Sequence, residues 1–244
     1  MGKAWVSERK KDYYYRKAKK DNYRSRAAYK LQQIDERCFV LKPGYAVLDM
    51  GACPGGWSQV ASELVGSEGI VIAVDLKMMD PVPGVTFIKG DVRKPEVIDE
   101  IRAELNASGA TKFDVIVSDM SPNISGNYDM DQARSVELCE VVLSTADLML
   151  RPGGKVLMKV FEGDLFKELK AKVKTRFPYV RVHGPKASRA SSSEIYIIAK
   201  GYHRPHENAG AENGTACEDD ESPPEISDAE WSESKRSEKK GYDY

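Results

Sequence analysis

Two hydrophobic periods alternate along this chain. Six short runs, YAVLDM (45–50), GIVIAVDL (69–76), VTFIKG (85–90), FDVIVSDM (113–120), GKVLMKVF (154–161) and SEIYIIAK (193–200), are rich in β-branched and aliphatic residues and bounded by Gly, Pro, Asn or Asp. Runs that are apolar at nearly every position belong to strands buried on both faces. Between them, the stretches 57–66, 95–108, 131–154 and 163–177 place apolar residues three and four apart, as helices covering a sheet must. Arg151-Pro152-Gly153-Gly154 is a helix stop directly before a strand. Strand and helix in strict alternation predict an α/β fold, a mostly parallel sheet with helices on both faces. PYVRVHG (178–184) adds a seventh strand. Its non-helical connection to 193–200 predicts an antiparallel hairpin at the sheet edge.

Charge divides the chain into three. The net charge is only −1, yet residues 1–30 hold 11 Lys and Arg against 3 Asp and Glu, while residues 203–244 hold 5 against 12. The tail from 203 has no apolar periodicity and is rich in Glu, Ser, Pro, Gly and Asn, so burial cannot offset its ordering entropy. The expected organisation is a basic aromatic extension (1–23), a catalytic-size domain (24–202) and an acidic disordered tail (203–244). No stretch approaches the roughly 20 apolar residues of a membrane span, and the charged N-terminus lacks an apolar signal region. Cys38, Cys53, Cys139 and Cys217 form no C-x-x-C pair, so neither a disulfide framework nor a cysteine zinc site is suggested. A reducing, cytoplasmic setting is expected. His183, His203 and His206 lack partners at ligand spacing, so no metal is assigned.

The most informative segment is Leu48-Asp49-Met50-Gly51-Ala52-Cys53-Pro54-Gly55-Gly56-Trp57, between the first strand and a helix. At this position of a doubly wound sheet, glycines let a ligand approach the backbone and the helix N-terminus offers free N–H groups. The pattern is G-x-x-x-G-G, without the G-x-G-x-x-G of dinucleotide binding, so pyrophosphate and a nicotinamide oxidoreductase are disfavoured. Asp75, about 20 residues further and at the end of the second strand, is placed to accept from ribose hydroxyls. Asp91, at the end of the third, is placed to accept from an adenine amine. An adenosine without a pyrophosphate points to S-adenosyl-L-methionine.

SRAAYKL (25–31), LDMGACPGGWSQV (48–60), VDLKMMDPVPGVTFIKGDV (74–92), SDMSPNISG (118–126), GGKVLMKVF (153–161) and SSSEIYIIA (191–199) closely resemble the FtsJ/RrmJ family of RNA ribose 2′-O-methyltransferases, in consistent order over residues 24–201. The resemblance implies a Rossmann-like S-adenosylmethionine-dependent methyltransferase fold of seven strands, the last inserted antiparallel. It implies a Lys-Asp-Lys-Glu tetrad, matched by Lys30, Asp119, Lys159 and Glu194. Cofactor contacts would fall on Gly55, Trp57, Asp75, Asp91 and Asp119. Cys53 stands where relatives often carry Ala, with no consequence for the chemistry. The expected roles are Lys159 as base, Asp119 between cofactor and Lys159, and Glu194 positioning Lys159 or the reacting hydroxyl. S-adenosyl-L-homocysteine would be the product.

The implied partner is RNA, with large-subunit ribosomal RNA, at a uridine, as the expected target and a monomer as the acting form. Transfer-RNA methylation and a non-catalytic RNA-binding assembly factor are the alternatives. Trp5, Tyr13, Tyr14, Tyr15, Tyr23 and Tyr29 lie among the Lys and Arg of the basic segment, offering stacking surfaces beside phosphate-neutralising charge. Lys186, Ser188, Arg189 and Ser191–Ser193 form a second set just before Glu194.

Overall fold

The computed structural model describes residues 13–185, 187 and 193–205. Trp5, Lys186, Ser188, Arg189, Ser191 and Ser192 lie outside these residues. So do residues 206–244, which hold nearly all of the acidic tail.

Helices α1 (Tyr13–Lys20) and α2 (Ala27–Cys38) precede β1 (Ala46–Met50). There follow α3 (Gly56–Val65), β2 (Ile70–Asp75), β3 (Thr86–Lys89), α4 (Pro95–Ala107) and β4 (Phe113–Ser118). The chain closes with α5 (Tyr128–Met149), β5 (Leu150–Phe161), α6 (Phe166–Lys174), β6 (Tyr179–His183) and β7 (Glu194–Lys200). One seven-stranded sheet has the order β3-β2-β1-β4-β5-β7-β6. The pairs among β1 to β5 are parallel, and β7 runs antiparallel between β5 and β6. This is the Rossmann-like methyltransferase architecture expected from the sequence.

Strand periodicity of two splits the core into layers. Leu48, Met50, Ile116 and Met158 face Ile98, Ile101, Val142, Leu143 and Leu169 of α4, α5 and α6. Val47, Val115, Val117 and Leu157 face Leu31, Ile34, Val60 and Ala61 of α2 and α3. Strand order reverses at β1 and β4, and the loops leaving the ends of these two strands diverge to opposite sides. A crevice therefore opens beyond Met50 and Ser118.

Two boundaries differ from the sequence expectation. Helix α5 starts at Tyr128, three residues early, because Asn127 caps it: Asn127 Oδ1 accepts from the Met130 amide at 3.1 Å. At its other end the helix passes directly into β5, and Arg151–Gly154 are strand rather than a turn. The Gly153 amide donates to Tyr202 O at 2.8 Å, and Gly154 O accepts from the Gly201 and Tyr202 amides. Chain beyond β7 thus pairs with this Pro-Gly-Gly, a contact remote in sequence, and the strand is irregular here: Gly153 has φ +74° and the β4–β5 register shifts between Phe113 and Val115.

Gly51 begins the crevice with φ +78°, and a Cβ there would lie 2.4 Å from Met120 Cγ and 3.1 Å from its Cα. Gly51→Ala combines left-handed strain with a backbone clash, so it is expected to lose about 1–3 kcal/mol of stability. A thermal melt checks this: an unchanged midpoint would show that the β1 and β4 loops are not in the tight contact described.

Candidate active site

Four carboxylates stand at the ends of four adjacent strands. Asp49 lies in β1, Asp75 closes β2, Asp91 follows β3 and Asp119 follows β4. Asp49 is fully buried. Its Oδ2 accepts from Ser58 Oγ at 2.6 Å, and among the described residues Oδ1 has no donor. Burial, with Asp119 and Asp75 adding repulsion against the bond from Ser58, pushes its carboxyl up to about 7. Asp75 ties the glycine-rich loop to the sheet, accepting from the Cys53 amide (2.9 Å) and the Lys77 amide (2.8 Å). Asp91 is gripped by Arg93, whose Nη2 lies 2.6 Å from Oδ2 and whose Nε donates at 2.9 Å to Oδ1. Those bonds from Arg93 hold its carboxyl below the usual range. An acceptor role toward adenine would therefore be shared with a guanidinium.

Gly55 has φ +103° and caps α3. The first α3 bond runs from the Gln59 amide to Gly55 O at 2.9 Å, so the Gly56, Trp57 and Ser58 amides precede the helical ladder. The Trp57 side chain packs inward: the residue is 2% exposed and its indole N–H donates to Ala27 O at 2.9 Å. Arg24 carried no signal in the sequence beyond its charge, yet it fastens two loops of the crevice. Its Nη1 donates to Pro54 O (3.3 Å) and Asp80 O (2.5 Å), and Nη2 to Pro81 O (2.5 Å).

The four tetrad residues come together as two ion pairs. Lys159 Nζ is 3.1 Å from Asp119 Oδ1 and donates to Asp119 O at 2.7 Å. Lys30 Nζ reaches Glu194 Oε2 at 2.7 Å. Both lysines are buried, Lys30 to 4% and Lys159 to 7% exposure, so neither is the solvated surface cation its position on a helix or strand end would suggest. Glu194 thus acts on Lys30, where the sequence reading gave it Lys159 or the hydroxyl.

Tyr196 joins the pairs, and sequence reasoning missed it. It stands opposite Lys159 in the β5–β7 ladder, its hydroxyl donates to Asp119 Oδ1 at 2.9 Å, and Lys30 Nζ lies 5.6 Å from its ring centroid. Burial, then Asp119 and Glu194, raise its phenol well above the ordinary value, which keeps it a donor. The available signal was its spacing from Glu194: two residues along one strand share a face.

The basic segment is less open than expected. Tyr29 is buried and donates to Asp21 Oδ2, and Tyr23 donates to Glu63 Oε2, so these rings are packed rather than offered for stacking. Tyr14 accepts from Gln33 Nε2, and Tyr13 remains exposed. A separate groove of about 560 Å³ runs between α4 and α5. Its charges include Arg102 and Asp99, paired with one another, and it brings together no tetrad residue.

Comparison with known proteins turns this geometry into a family assignment. The sequence profile of FtsJ-like methyltransferases matches residues 23–202. The chain belongs to the FtsJ-like methyltransferase family. It is 47% identical over 190 residues to ribosomal RNA large subunit methyltransferase E of Methanothrix thermoacetophila, covering 78% of this chain and 72% of that one. Against the protein of that name from Acinetobacter baylyi, identity is 45% over 199 residues, covering 82% and 91%. A crystal structure described as a ribosomal RNA methyltransferase of Plasmodium falciparum superposes with a TM-score of 0.66 at 33% identity, over 74% of this chain and 98% of that one. Aeropyrum pernix fibrillarin, solved with bound S-adenosyl-L-methionine, shares the fold at a TM-score of 0.50 and 17% identity, over 72% and 75%.

Asp49 supplies a pH test. Its folded carboxyl sits near 7 against an ordinary value of 3.8, so the folded state holds more protons than the unfolded one between these limits and wild-type stability falls as pH rises through that window. Asp49→Asn removes the buried charge while keeping an acceptor for Ser58. It is expected to raise the melting temperature at pH 8, with the gain shrinking toward pH 4. A gain that is constant with pH would place the Asp49 proton elsewhere.

Proposed function

We propose that this chain methylates a ribose 2′-hydroxyl of large-subunit ribosomal RNA, using S-adenosyl-L-methionine, with Lys159 as the base. One observation carries the reading: a buried lysine held by the side chain and carbonyl of Asp119, at the end of the sheet where Asp49, Asp75 and Asp91 also stand. The names of the similar ribosomal RNA methyltransferases support the substrate class.

The donor set fits the cofactor. Asp91 and Asp119 are matched by Arg93 and Lys159, whereas Asp49 and Asp75 have no cationic partner in an ion pair among the described residues. Such a surplus, carried chiefly by Asp75 because burial leaves Asp49 only partly ionised near neutral pH, suits a cationic adenosine derivative and opposes a pyrophosphate. Asp75 is placed for ribose hydroxyls, Asp91 beside Arg93 for the adenine edge, and the Gly55–Trp57 backbone for close approach. When bound, S-adenosyl-L-methionine supplies a sulfonium-activated methyl and departs as S-adenosyl-L-homocysteine, its positive charge lost in the transfer.

The protein's own work is orientation and proton removal. Paired with Asp119, Lys159 must first give a proton to solvent; as the amine it then takes the 2′-hydroxyl proton while the oxygen bonds to the methyl carbon and the methyl–sulfur bond breaks. Asp119 fixes the direction of Lys159 through two contacts and is itself fixed by Tyr196. The proton then leaves Lys159 for solvent, restoring the amine. Lys30, neutralised by Glu194, stands on the same face, placed to hold the ribose or its phosphate in line.

The test is transfer of labelled methyl from S-adenosyl-L-methionine to ribosomal subunits, free ribosomal RNA and total tRNA, with the modified nucleotide mapped. Label is expected in a 2′-O-methylated ribose of the large subunit. Lys159→Ala should abolish it while changing S-adenosyl-L-homocysteine affinity by less than about threefold. Label in tRNA would replace the substrate and keep the mechanism. No label on any RNA, despite cofactor binding, would make the chain a non-catalytic RNA-binding protein.

A further inference from the structure

Large apolar side chains stand exposed along the 120–130 segment, on the substrate side of Asp119. Ile124 is 65% exposed and Tyr128 57%. Met130 follows at 46%. Nothing about this exposure is loose. Asp131, itself buried to 6% exposure, accepts from the Ser125 amide at 2.9 Å, from Ser125 Oγ at 2.8 Å and from the Gly126 amide at 3.1 Å. One carboxylate straps the loop from within, and the bonds from Ser125 hold its carboxyl below the ordinary range. The loop is therefore fixed in a shape that presents Ile124 and Tyr128 outward.

Tyr128 is fixed at its far end as well, since its hydroxyl donates to Glu162 O at 2.5 Å. Glu162 follows Phe161, which pairs with Glu194 across β5 and β7, and its amide donates to Ser193 O at 2.9 Å. The tyrosine spans from the loop after Asp119 to the strand end three residues beyond Lys159. Its ring is thus a rigid, exposed plane on the rim of the site. Its neighbour Asp129 is exposed and anionic, a poor surface for a phosphate.

Lys159 is only 7% exposed, too deep for a 2′-hydroxyl held in the shallow minor groove of a stacked helix; a nucleotide unstacked to enter the crevice leaves its base needing a flat apolar surface. We infer that Tyr128, with Ile124 beside it, is the platform on which the base of the methylated nucleotide stacks, and that it helps select an unpaired nucleotide as substrate. This rests on the RNA methyltransferase reading above. Tyr128 touches the base and no reacting atom, so its contribution lies in RNA affinity, leaving cofactor binding untouched.

The experiment measures equilibrium affinity of the full chain, loaded with S-adenosyl-L-homocysteine, for ribosomal RNA fragments that contain the mapped nucleotide. Tyr128→Ala is expected to weaken RNA binding at least about tenfold. Tyr128→Phe, which keeps the ring and loses the bond to Glu162, should stay within about threefold. Cofactor affinity and melting temperature should match the wild type in both. An RNA abasic at the target nucleotide should bind the wild type as weakly as intact RNA binds Tyr128→Ala, and the variant should lose nothing more. Wild-type affinity in Tyr128→Ala, or an undiminished defect on the abasic RNA, would overturn the platform. Methyl transfer by the wild type, measured in parallel, tests the underlying reading independently. If none occurs, the comparison of Tyr128→Ala with the wild type on the unmapped fragments still decides whether the ring contacts RNA.

Discussion

Four carboxylates at the ends of neighbouring parallel strands repel one another, and much of this structure follows from how each is compensated. Asp119 is held by Lys159 and Tyr196, and Asp91 by Arg93. Asp75 is spent on backbone amides, while Asp49 is buried with a single donor and a carboxyl raised to about 7. Charge at close quarters in a low dielectric is expensive unless paired. The sheet end therefore sorts itself into a compensated half around β4 and β5 and an anionic half around β1 and β2. In the proposed reaction the anionic half receives a cation and the compensated half handles a proton, so the transfer ends without leaving a large unbalanced charge in either.

The second ion pair gives the tetrad its asymmetry. Lys30 comes from α2, which packs on the α3 face of the sheet, and Glu194 from the first residue of the antiparallel strand β7. Inserting β7 between β5 and β6 brings Glu194 beside Phe161 and Tyr196 opposite Lys159. Without that reversal the start of β7 would lie beside the start of β5, at the opposite end of the strands from Lys159. The fold's one antiparallel insertion is thus what assembles the site from both ends of the chain.

The layered α/β architecture was legible because fully apolar strands and one-sided helices admit few alternatives, and Asp75 and Asp91 could be placed from strand ends alone. The tetrad was legible through family resemblance, since Lys30 and Glu194 are separated by 164 positions and no local pattern connects them. Their pairing was not legible: which carboxylate meets which lysine is decided by strand register and by the depth of α2. Tyr196 was hidden for the same reason, a tyrosine in an apolar run being read as core. The packing of Trp57 was not legible either: its place in the glycine-rich loop suggested a ligand contact, and at the start of α3 its indole N–H donates to Ala27 O within the α2–α3 interface. The Pro-Gly-Gly after α5 read as a helix stop, as it is, but that it already belongs to β5 was not legible, because Tyr202, the partner of Gly153, is remote in sequence.

The proposed reaction divides labour along the strand ends, with the β1–β2 side binding cofactor and the β5–β7 side serving methyl transfer. Calorimetric titration with S-adenosyl-L-homocysteine, set beside single-turnover methyl transfer, tests it most directly on Asp75→Asn and Glu194→Gln. Asp75→Asn should lose cofactor affinity by about tenfold or more, while Glu194→Gln should bind the cofactor as the wild type does and transfer methyl far more slowly. Equal losses of cofactor affinity in the two variants would contradict the division.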